Sequence, residues 1–164
     1  MIDQNIVKVS MADLNVIRKS GLIRTSGLGS CIGLTMYDPV LHIAGMAHVM
    51  LPSSTIAREG ELNVAKYADT ALPALLDKLL EMGSSKNNLV AKMAGGSQMF
   101  AFGGNNDTMR IGPRNAESCK AKLDILGIPL IGEDTGGNYG RTIELDCSTG
   151  ILYIRSVLMG AKEL

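Results

Sequence analysis

Two apolar, strand-like runs on either side of a turn signal constrain the fold of this chain most. The runs cover residues 32–37 and 42–51, and Asp38-Pro39 follows the first of them. An Asp-Pro dipeptide between two apolar runs favours a tight reversal of the chain. With a loop over residues 38–41, a common hairpin length, the two runs become neighbouring antiparallel strands. Part of the core is therefore predicted to rest on an antiparallel sheet.

The same hairpin predicts a contact between a cysteine and a histidine. A loop over residues 38–41 pairs Tyr37 with His42. Counting along the ladder then places Cys31 opposite His48. Directly opposed side chains share a face, with Cβ atoms about 5 Å apart. A slip of one residue would put the two side chains on opposite faces, so the prediction depends on the register.

The rest of the chain alternates helical and strand-like patterns. Apolar residues recur at helical steps over residues 64–82, which predicts a helix with Pro73 inside it. A second helix is predicted over residues 113–126 and ends before Gly127. Further strands are predicted within residues 6–18 and over 89–94, 128–131, 142–145 and 151–157, with a loop over 103–107. Two helices among about seven strands predict an α/β or α+β fold, a single-domain layered sandwich of mixed or antiparallel sheet over residues 1–164.

Composition argues against several classes of protein. Hydrophobic residues make up 46% of the 164, enough for a core without metals or disulfides. Basic and acidic residues both number 16, so nucleic acid is not expected as a partner. No apolar stretch approaches the ~20 residues of a membrane span, and no signal sequence is visible. The three cysteines form no CxxC pair and no zinc pattern, which predicts a reduced, cytoplasmic protein without a metal site.

Cys31 is the first candidate for a catalytic residue, although a lone cysteine is most often a small buried hydrophobe. It follows a Gly-x-Gly-Ser turn, where backbone N–H groups at Gly29 and Ser30 can point at a bound oxyanion. An imidazolium nearby would lower the pKa of the thiol and raise its thiolate content. Cys119 lies on the apolar stripe of the second helix and is expected in the core, while Cys147 has no obvious base beside it.

His48 is the candidate base, although a buried histidine with satisfied hydrogen bonds is an equally simple interpretation. A hydroxyl could orient the ring as the third member of a catalytic set. Thr25, Ser26 and Ser30 are all candidates by proximity, and their spacing does not choose among them. His42 falls at the hairpin turn and is expected to be solvated.

Two other features allow anion binding but indicate it weakly. Gly95-Gly96 could approach a phosphate, yet no Lys-Ser or Lys-Thr follows the glycines. Arg114 and Arg141 could bind an anion, or they could simply pair with Glu133 and Asp134.

A set of short motifs spans almost the full chain, and their combination is highly specific. They are Thr25-x-x-Leu28-Gly29-Ser30-Cys31, Ala47-His48-Val49-Met50-Leu51-Pro52, Lys66-Tyr67-Ala68-Asp69, Gly95-Gly96, Ile111-Gly112-Pro113-Arg114-Asn115, Glu133-Asp134-Thr135-Gly136-Gly137 and Gly140-Arg141. With these motifs the chain resembles the CheD family of chemoreceptor glutamine deamidases. One departure is that Ala94 and Ser97 flank the two glycines, where many relatives carry an aromatic residue and an alanine.

The resemblance implies a Cys-His-Thr catalytic set that maps onto Cys31, His48 and Thr25. Backbone support for the oxyanion would come from Ser30 and Gly29. The implied fold is a layered α/β structure similar to the catalytic domain of cytotoxic necrotising factor toxins. The implied partners are the cytoplasmic helices of methyl-accepting chemotaxis receptors and the CheY-phosphate phosphatase CheC, which would compete for one surface.

The implied reaction is hydrolysis of a glutamine side-chain amide to glutamate and ammonia through a cysteine thioester. A glutamyl methyl ester could enter the same pathway as a side activity, and no cofactor or metal is needed. Two other classes of function stay open from the sequence. The protein could act mainly as a non-catalytic binding regulator of CheC and receptors. A redox-sensing role is weaker, because no resolving cysteine lies near Cys31 in the sequence.

Overall fold

The structure, a computed structural model, describes residues 5–57, 60, 62–98 and 110–164. These residues form ten β-strands, two α-helices and three short 3-10 helices. In chain order the strands are β1 (Ile6–Lys8), β2 (Leu14–Arg18), β3 (Leu22–Leu28), β4 (Ile32–Asp38), β5 (Ile43–Val49), β6 (Val90–Gly95), β7 (Leu130–Thr135), β8 (Arg141–Asp146), β9 (Leu152–Ser156) and β10 (Gly160–Glu163). The helices are α1 (Ala68–Glu81) and α2 (Ile111–Leu126).

The strands form two mixed sheets of five strands each. The central sheet has the order β2-β5-β4-β6-β7, and the outer sheet has the order β1-β3-β8-β9-β10. Most neighbours run antiparallel, and the parallel pairs are β1 with β3 and β6 with β7. This architecture confirms the predicted α+β class with mixed sheets and two main helices. The strand β10 was not predicted from the sequence, and the predicted loop over residues 103–107 lies outside the described residues.

The central sheet lies between the helices and the outer sheet, because its strands are buried on both faces. Leu34 and Met36 of β4 belong to one hydrophobic cluster with Leu72 and Leu75 of α1. Alternate residues of the sheet, such as Met46, belong to a second cluster with side chains of the outer sheet. Every residue of β4 and β5 is buried, as expected for the middle strands of a three-layer fold. The second cluster lies between the two sheets.

Both helices are close to their predicted bounds. Residues 64–66 form a 3-10 turn rather than part of α1, and the Asn63 side chain accepts a hydrogen bond from Ala65 N–H in that turn. Pro73 lies inside α1, as predicted. The second helix begins at Ile111, two residues earlier than expected, and ends at Gly127 in the left-handed conformation with φ of 74°. In the described part of the chain, no helix is long and apolar enough to cross a membrane.

The β4–β5 hairpin has a different register from the predicted one. The ladder pairs Tyr37 with Ala44 and Gly33 with His48, so the predicted pairing of Cys31 with His48 is wrong by two residues. The reason lies in the turn: the Asp38 carboxylate accepts hydrogen bonds from the N–H groups of Val40 and Leu41. The side chain thus caps the reversal while its backbone stays in β4, and the loop moves to residues 39–42. A slip of two residues keeps each side chain on its predicted face.

Candidate active site

A bulge in β3 leads into the turn at residues 29–31, called the cysteine turn because it ends at Cys31. Thr25 pairs with Ile143 of β8, and the next pair in the ladder is Leu28 with Arg141. Because β3 uses one more residue than β8 between these pairs, its ladder is interrupted directly after Thr25. Gly27, inside the bulge, has a φ of 70°, a conformation that glycine adopts without strain. The chain then leaves the outer sheet and enters the central sheet at β4.

Thr25 and His48 join the two sheets through a buried hydrogen bond. Thr25 Oγ1 lies 2.7 Å from His48 Nδ1 and 2.7 Å from the carbonyl oxygen of Val9. The carbonyl can only accept, so the threonine hydroxyl donates its single hydrogen to Val9. The hydroxyl oxygen must then accept from Nδ1–H of the imidazole. This places the proton of neutral His48 on Nδ1 and leaves Nε2 as the basic nitrogen.

The basic nitrogen of His48 is buried and lacks a hydrogen-bond partner among the described residues. The imidazole as a whole is only 1% exposed. A buried polar atom without a partner is unfavourable for stability and calls for an explanation. His48 therefore has an oriented ring and an unused acceptor.

Cys31 lies directly before β4, between the two sheets. It belongs to the same hydrophobic cluster as Leu28 and Ala94 and is 7% exposed. Gly33, two residues on, is the residue directly opposite His48. Cys31 is therefore the diagonal neighbour of His48 on the same face of the sheet, and diagonal Cα atoms are about 7–8 Å apart. The two residues share a face of the sheet, although they are not directly opposed as predicted.

The backbone of the cysteine turn is fixed by three consecutive carbonyl groups. The carbonyl of Gly29 accepts from Ser97 N–H, and that of Cys31 accepts from Gly96 N–H, both at 2.9 Å. The carbonyl of Ser30, between them, accepts from the side-chain amide of Asn115 at 2.9 Å. Two of the donors directly follow β6 and the third lies on α2, so the turn is held against both the end of β6 and α2.

The amide groups of the same turn differ in their availability for an oxyanion. Gly29 N–H already donates to the carbonyl of Gly27 at 3.1 Å. The N–H groups of Ser30 and Cys31 have no backbone acceptor within the described ranges. Of the backbone donors predicted from the sequence, Ser30 is thus open in this structure, whereas Gly29 is engaged.

Arg141, almost fully buried at the start of β8, organises the loops behind the turn. Its guanidinium donates to the Asp134 carboxylate at 3.3 Å, to the Gly136 carbonyl at 2.9 Å and to Ser97 Oγ at 2.9 Å. The Tyr139 ring also lies against it, with 4.2 Å between the guanidinium carbon and the ring centre. Of the two roles considered from sequence, the structure therefore has Arg141 in an ion pair. Since Ser97 N–H holds the cysteine turn, the network supports that turn indirectly.

Burial shifts both candidate catalytic groups towards their neutral forms. It raises the pKa of the Cys31 thiol, and the residue's own backbone N–H opposes this with a smaller effect. It lowers the pKa of the His48 imidazole. Desolvation disfavours whichever form is charged, so burial favours the thiol over the thiolate at Cys31 and the neutral imidazole over the imidazolium at His48. These directions oppose the expected thiolate–imidazolium pair, which stays a prediction for the alkylation experiment to test.

The other residues considered from sequence lie apart from this arrangement. Cys119 is fully buried on α2, where burial raises its pKa to about 12. Cys147 is buried between the sheets with a pKa of about 11, and its thiol donates to the carbonyl of His42 at 3.2 Å. His42 is exposed in the hairpin loop, as predicted. Within the ranges described, no cluster of three or more metal-ligating side chains is found.

Sequence reasoning gave no role to Asn115, Ser97 or Arg141 at the cysteine turn. From the sequence, Asn115 was part of a motif, Arg141 was a candidate for anion binding or an ion pair, and Ser97 was a departure from relatives. Their contacts join positions 44 to 85 residues apart in the chain. A single sequence carries no signal for such contacts.

Comparison with known proteins identifies the relatives of this chain. The family model described as CheD chemotactic sensory transduction matches residues 50–156. A protein of Halalkalibacterium halodurans named chemoreceptor glutamine deamidase CheD is 56% identical over 160 residues, which is 98% of this chain and 99% of the relative. The protein of the same name from Bacillus subtilis is 51% identical over 159 residues, covering 97% and 96%.

A solved structure also aligns with this chain. It is titled Bacillus licheniformis hypothetical protein YfiH, and it has a TM-score of 0.48 and 15% sequence identity. The alignment covers 81% of this chain and 61% of that protein.

Proposed function

The chain belongs to the CheD family, and we propose that it is a chemoreceptor glutamine deamidase, built as one domain over residues 1–164. The family membership and the names of its relatives support glutamine deamidation in chemotaxis. The finer proposal is that Cys31, His48 and Thr25 carry out the reaction. The observation that carries it is the buried hydrogen bond from His48 Nδ1–H to Thr25, which leaves Nε2 as an oriented base on the Cys31 face of the sheet.

The first half of the reaction forms a thioester. The Cys31 sulfur attacks the side-chain amide carbon of a receptor glutamine while His48 Nε2 takes the thiol proton. The N–H groups of Cys31 and Ser30 stabilise the negative charge that develops on the amide oxygen. His48 then returns the proton to the departing nitrogen, and ammonia leaves as the thioester forms. Because burial disfavours the charged form of both groups, this scheme starts from the neutral thiol and imidazole and develops charge during attack.

The second half releases glutamate. His48 Nε2 removes a proton from water, which attacks the thioester carbon, and the Cys31 sulfur leaves and is reprotonated. Thr25 keeps the imidazole in the required tautomer throughout, in the way that the third member of a catalytic triad does. The same route accepts a glutamyl methyl ester, with methanol leaving in place of ammonia, so we propose methylesterase activity as a side reaction.

The proposed partners are the cytoplasmic helices of chemoreceptors, as substrates, and the phosphatase CheC, as a competitor for the same surface. We place the protein in the cytoplasm on this basis. A purely regulatory protein has no use for an oriented, buried base beside a cysteine, and this favours the deamidase over the non-catalytic binding regulator. Competition is measured by titrating CheC against a receptor fragment bound to the Cys31→Ala protein.

The test of the reaction is mass spectrometry of receptor cytoplasmic fragments incubated with the purified protein. Each converted glutamine gains about 1 Da, as amide becomes acid. We expect conversion by the wild type and none by Cys31→Ala. The matched control is Cys147→Ala, which removes another buried thiol from the same hydrophobic cluster and keeps activity. Conversion by a folded Cys31→Ala protein contradicts the proposed nucleophile.

A further inference from the structure

Asn115 connects the two chain segments that carry the proposed nucleophile and base. Its side chain is fully buried on α2. The Nδ2 amide donates to the carbonyl of Ser30 and to the carbonyl of Met50, both at 2.9 Å. Since carbonyl oxygens only accept, both contacts require the NH₂ group at this position, which fixes the orientation of the amide. Ser30 precedes Cys31, and Met50 follows His48 by two residues.

The hydrogen bond to Ser30 determines where the next amide points. The peptide bonds of the described residues are trans, and in a trans peptide the C=O and N–H groups point in opposite directions. The Ser30 carbonyl is directed at α2, so the Cys31 N–H of the same peptide is directed away from α2. That N–H has no backbone acceptor within the described ranges, so it is available to donate to the oxyanion of a thiol-bound intermediate.

A role in packing alone does not account for this residue. Asn115 Oδ1 is buried and has no hydrogen-bond partner within the described part of the chain. An apolar side chain would fill the same space without burying an unpaired polar atom. Asparagine is needed only because its NH₂ group holds two carbonyls at once.

We propose that Asn115 is a positioning residue for deamidation, and that it aims the Cys31 N–H at the oxyanion by holding the Ser30 carbonyl. The inference rests on the proposed function, because it takes Cys31 as the nucleophile. Asn115 does not touch the substrate in this scheme. It acts through the Ser30–Cys31 peptide, and its second bond, to Met50, holds that peptide at a constant position relative to the end of β5.

Two reactions of the same thiol separate this role from a general structural one. Deamidation passes through an oxyanion, so it depends on the orientation of the Cys31 N–H. Alkylation by iodoacetamide displaces iodide from a saturated carbon and forms no oxyanion. For Asn115→Ala we expect kcat for deamidation to fall roughly 10²–10³-fold, the range seen when one oxyanion donor is lost. We expect KM and the Cys31 alkylation rate at fixed pH to stay within about threefold of wild type, since binding and thiol access do not use that N–H.

The matched control is Glu117→Ala, an exposed substitution on the same helix, which should leave both rates unchanged. If kcat and the alkylation rate of Asn115→Ala fall together, the residue is structural and the proposal is overturned. An unchanged kcat overturns it as well. Should Asn115→Ala fail to fold, Asn115→Leu fills the space with an apolar side chain that has no donor, and it is measured in the same way with the same two outcomes decisive.

Failure of this inference is distinguishable from failure of the proposed function. If Cys31→Ala still deamidates receptor fragments, the nucleophile assignment is wrong, whatever Asn115 does. If Cys31→Ala is inactive and Asn115→Ala keeps full activity, only the positioning role is wrong.

Discussion

Thr25 Oγ1 and His48 Nδ1 are 2.7 Å apart, and this hydrogen bond links the outer sheet to the central sheet. Gly33, directly opposite His48, allows the sheets to approach here, because a Cβ on it would overlap Ile143 of the outer sheet. The bond therefore depends on how closely the two sheets pack. Fold stability and imidazole orientation are coupled through the same contact.

Replacing the Thr25 hydroxyl tests that coupling. Thr25→Val keeps the shape of the side chain but leaves Nδ1 of His48 buried without an acceptor. We expect the deamidation rate to fall at least roughly tenfold. The loss should not exceed the 10²–10⁴-fold that general acid–base catalysis contributes. The free energy of unfolding should fall by about 1–3 kcal/mol. Thr25→Ser restores the hydroxyl and should recover most of the deamidation rate and of the free energy of unfolding, as measured by kinetics and denaturant titration. A fully active Thr25→Val protein would remove Thr25 from the catalytic set.

Sequence patterns predicted the elements of this fold well, because each pattern is local. The hairpin, both helices and the buried central strands follow from apolar periodicity and from turn residues such as Pro39 and Gly127. The register of the hairpin was wrong because it depends on Asp38, whose carboxylate caps the turn from within β4. The face of each side chain was nevertheless predicted correctly, since an error of two residues preserves the alternation.

The candidate site was only partly predictable, because its geometry depends on contacts between distant elements. The predicted hairpin placed Cys31 near His48. The spacing left Thr25, Ser26 and Ser30 as equal candidates for the hydroxyl that orients the imidazole. The bulge after Thr25 decides the geometry, since Thr25 is buried against His48 while Ser26 is exposed. The shift of both groups towards their neutral forms follows from burial between two sheets, which no local pattern reports.

Substitution of Gly95 tests how closely the cysteine turn packs against the end of β6. A Cβ on Gly95 would overlap the carbonyl oxygen of Cys31, and its φ is 111°. Gly95→Ala should therefore displace the turn, and a shift of about 1 Å costs roughly hundredfold in rate. Gly136→Ala is the matched control, with a φ of 87° but no atom within 4 Å of its Cβ. It should carry the backbone strain alone and keep its activity. Equal deamidation rates for the two variants would contradict the close approach.

Removal of the Arg141 guanidinium should destabilise the protein strongly. Arg141→Met removes the buried donor to the Asp134 carboxylate and the Gly136 carbonyl, which keep Lys162 and Ser97 as their respective partners. Loss of one partner of a buried ion pair costs about 3–5 kcal/mol. Arg155→Ala is the control, because its side chain is 61% exposed and pairs with Glu144 at the surface. That variant should lose less than about 1 kcal/mol. Denaturant unfolding compares the two, and similar losses would show that the buried network is not important for stability.

Burial of His48 predicts a decrease in stability under mildly acidic conditions. The folded pKa lies below the ordinary value of 6.5, so the unfolded chain binds more protons as the pH falls below 6.5. Stability is therefore present above that pH and is lost as the pH falls towards the folded pKa, by at most about 1.4 kcal/mol per pH unit. His48→Gln should flatten this part of the profile. Unfolding titrations from pH 7.5 to about 5 measure the slope, and identical slopes for the two proteins would rule out a neutral, buried imidazole.

The three thiols should differ in their reactivity. Burial raises the pKa of Cys31 above 9.0, and it raises the values of Cys119 and Cys147 to about 12 and about 11. Because alkylation follows thiolate content and exposure, Cys31, which is 7% exposed while the other two are fully buried, should react first. Its rate should be low at neutral pH and should rise steadily towards alkaline pH.

The effect of His48 on the pH dependence of Cys31 alkylation shows whether the thiol and the imidazole are neutral or charged before substrate binds. If the imidazole is neutral in the free protein, His48→Gln removes no cation, and the Cys31 alkylation rate should stay within about threefold at each pH. The measurement is iodoacetamide labelling with peptide mass spectrometry across the pH range. A wild-type inflection well below pH 9 that disappears in His48→Gln would instead establish a thiolate–imidazolium pair before substrate binds. Attack would then begin from an ionised nucleophile, and in the first half of the reaction His48 would act as the acid that protonates the departing nitrogen.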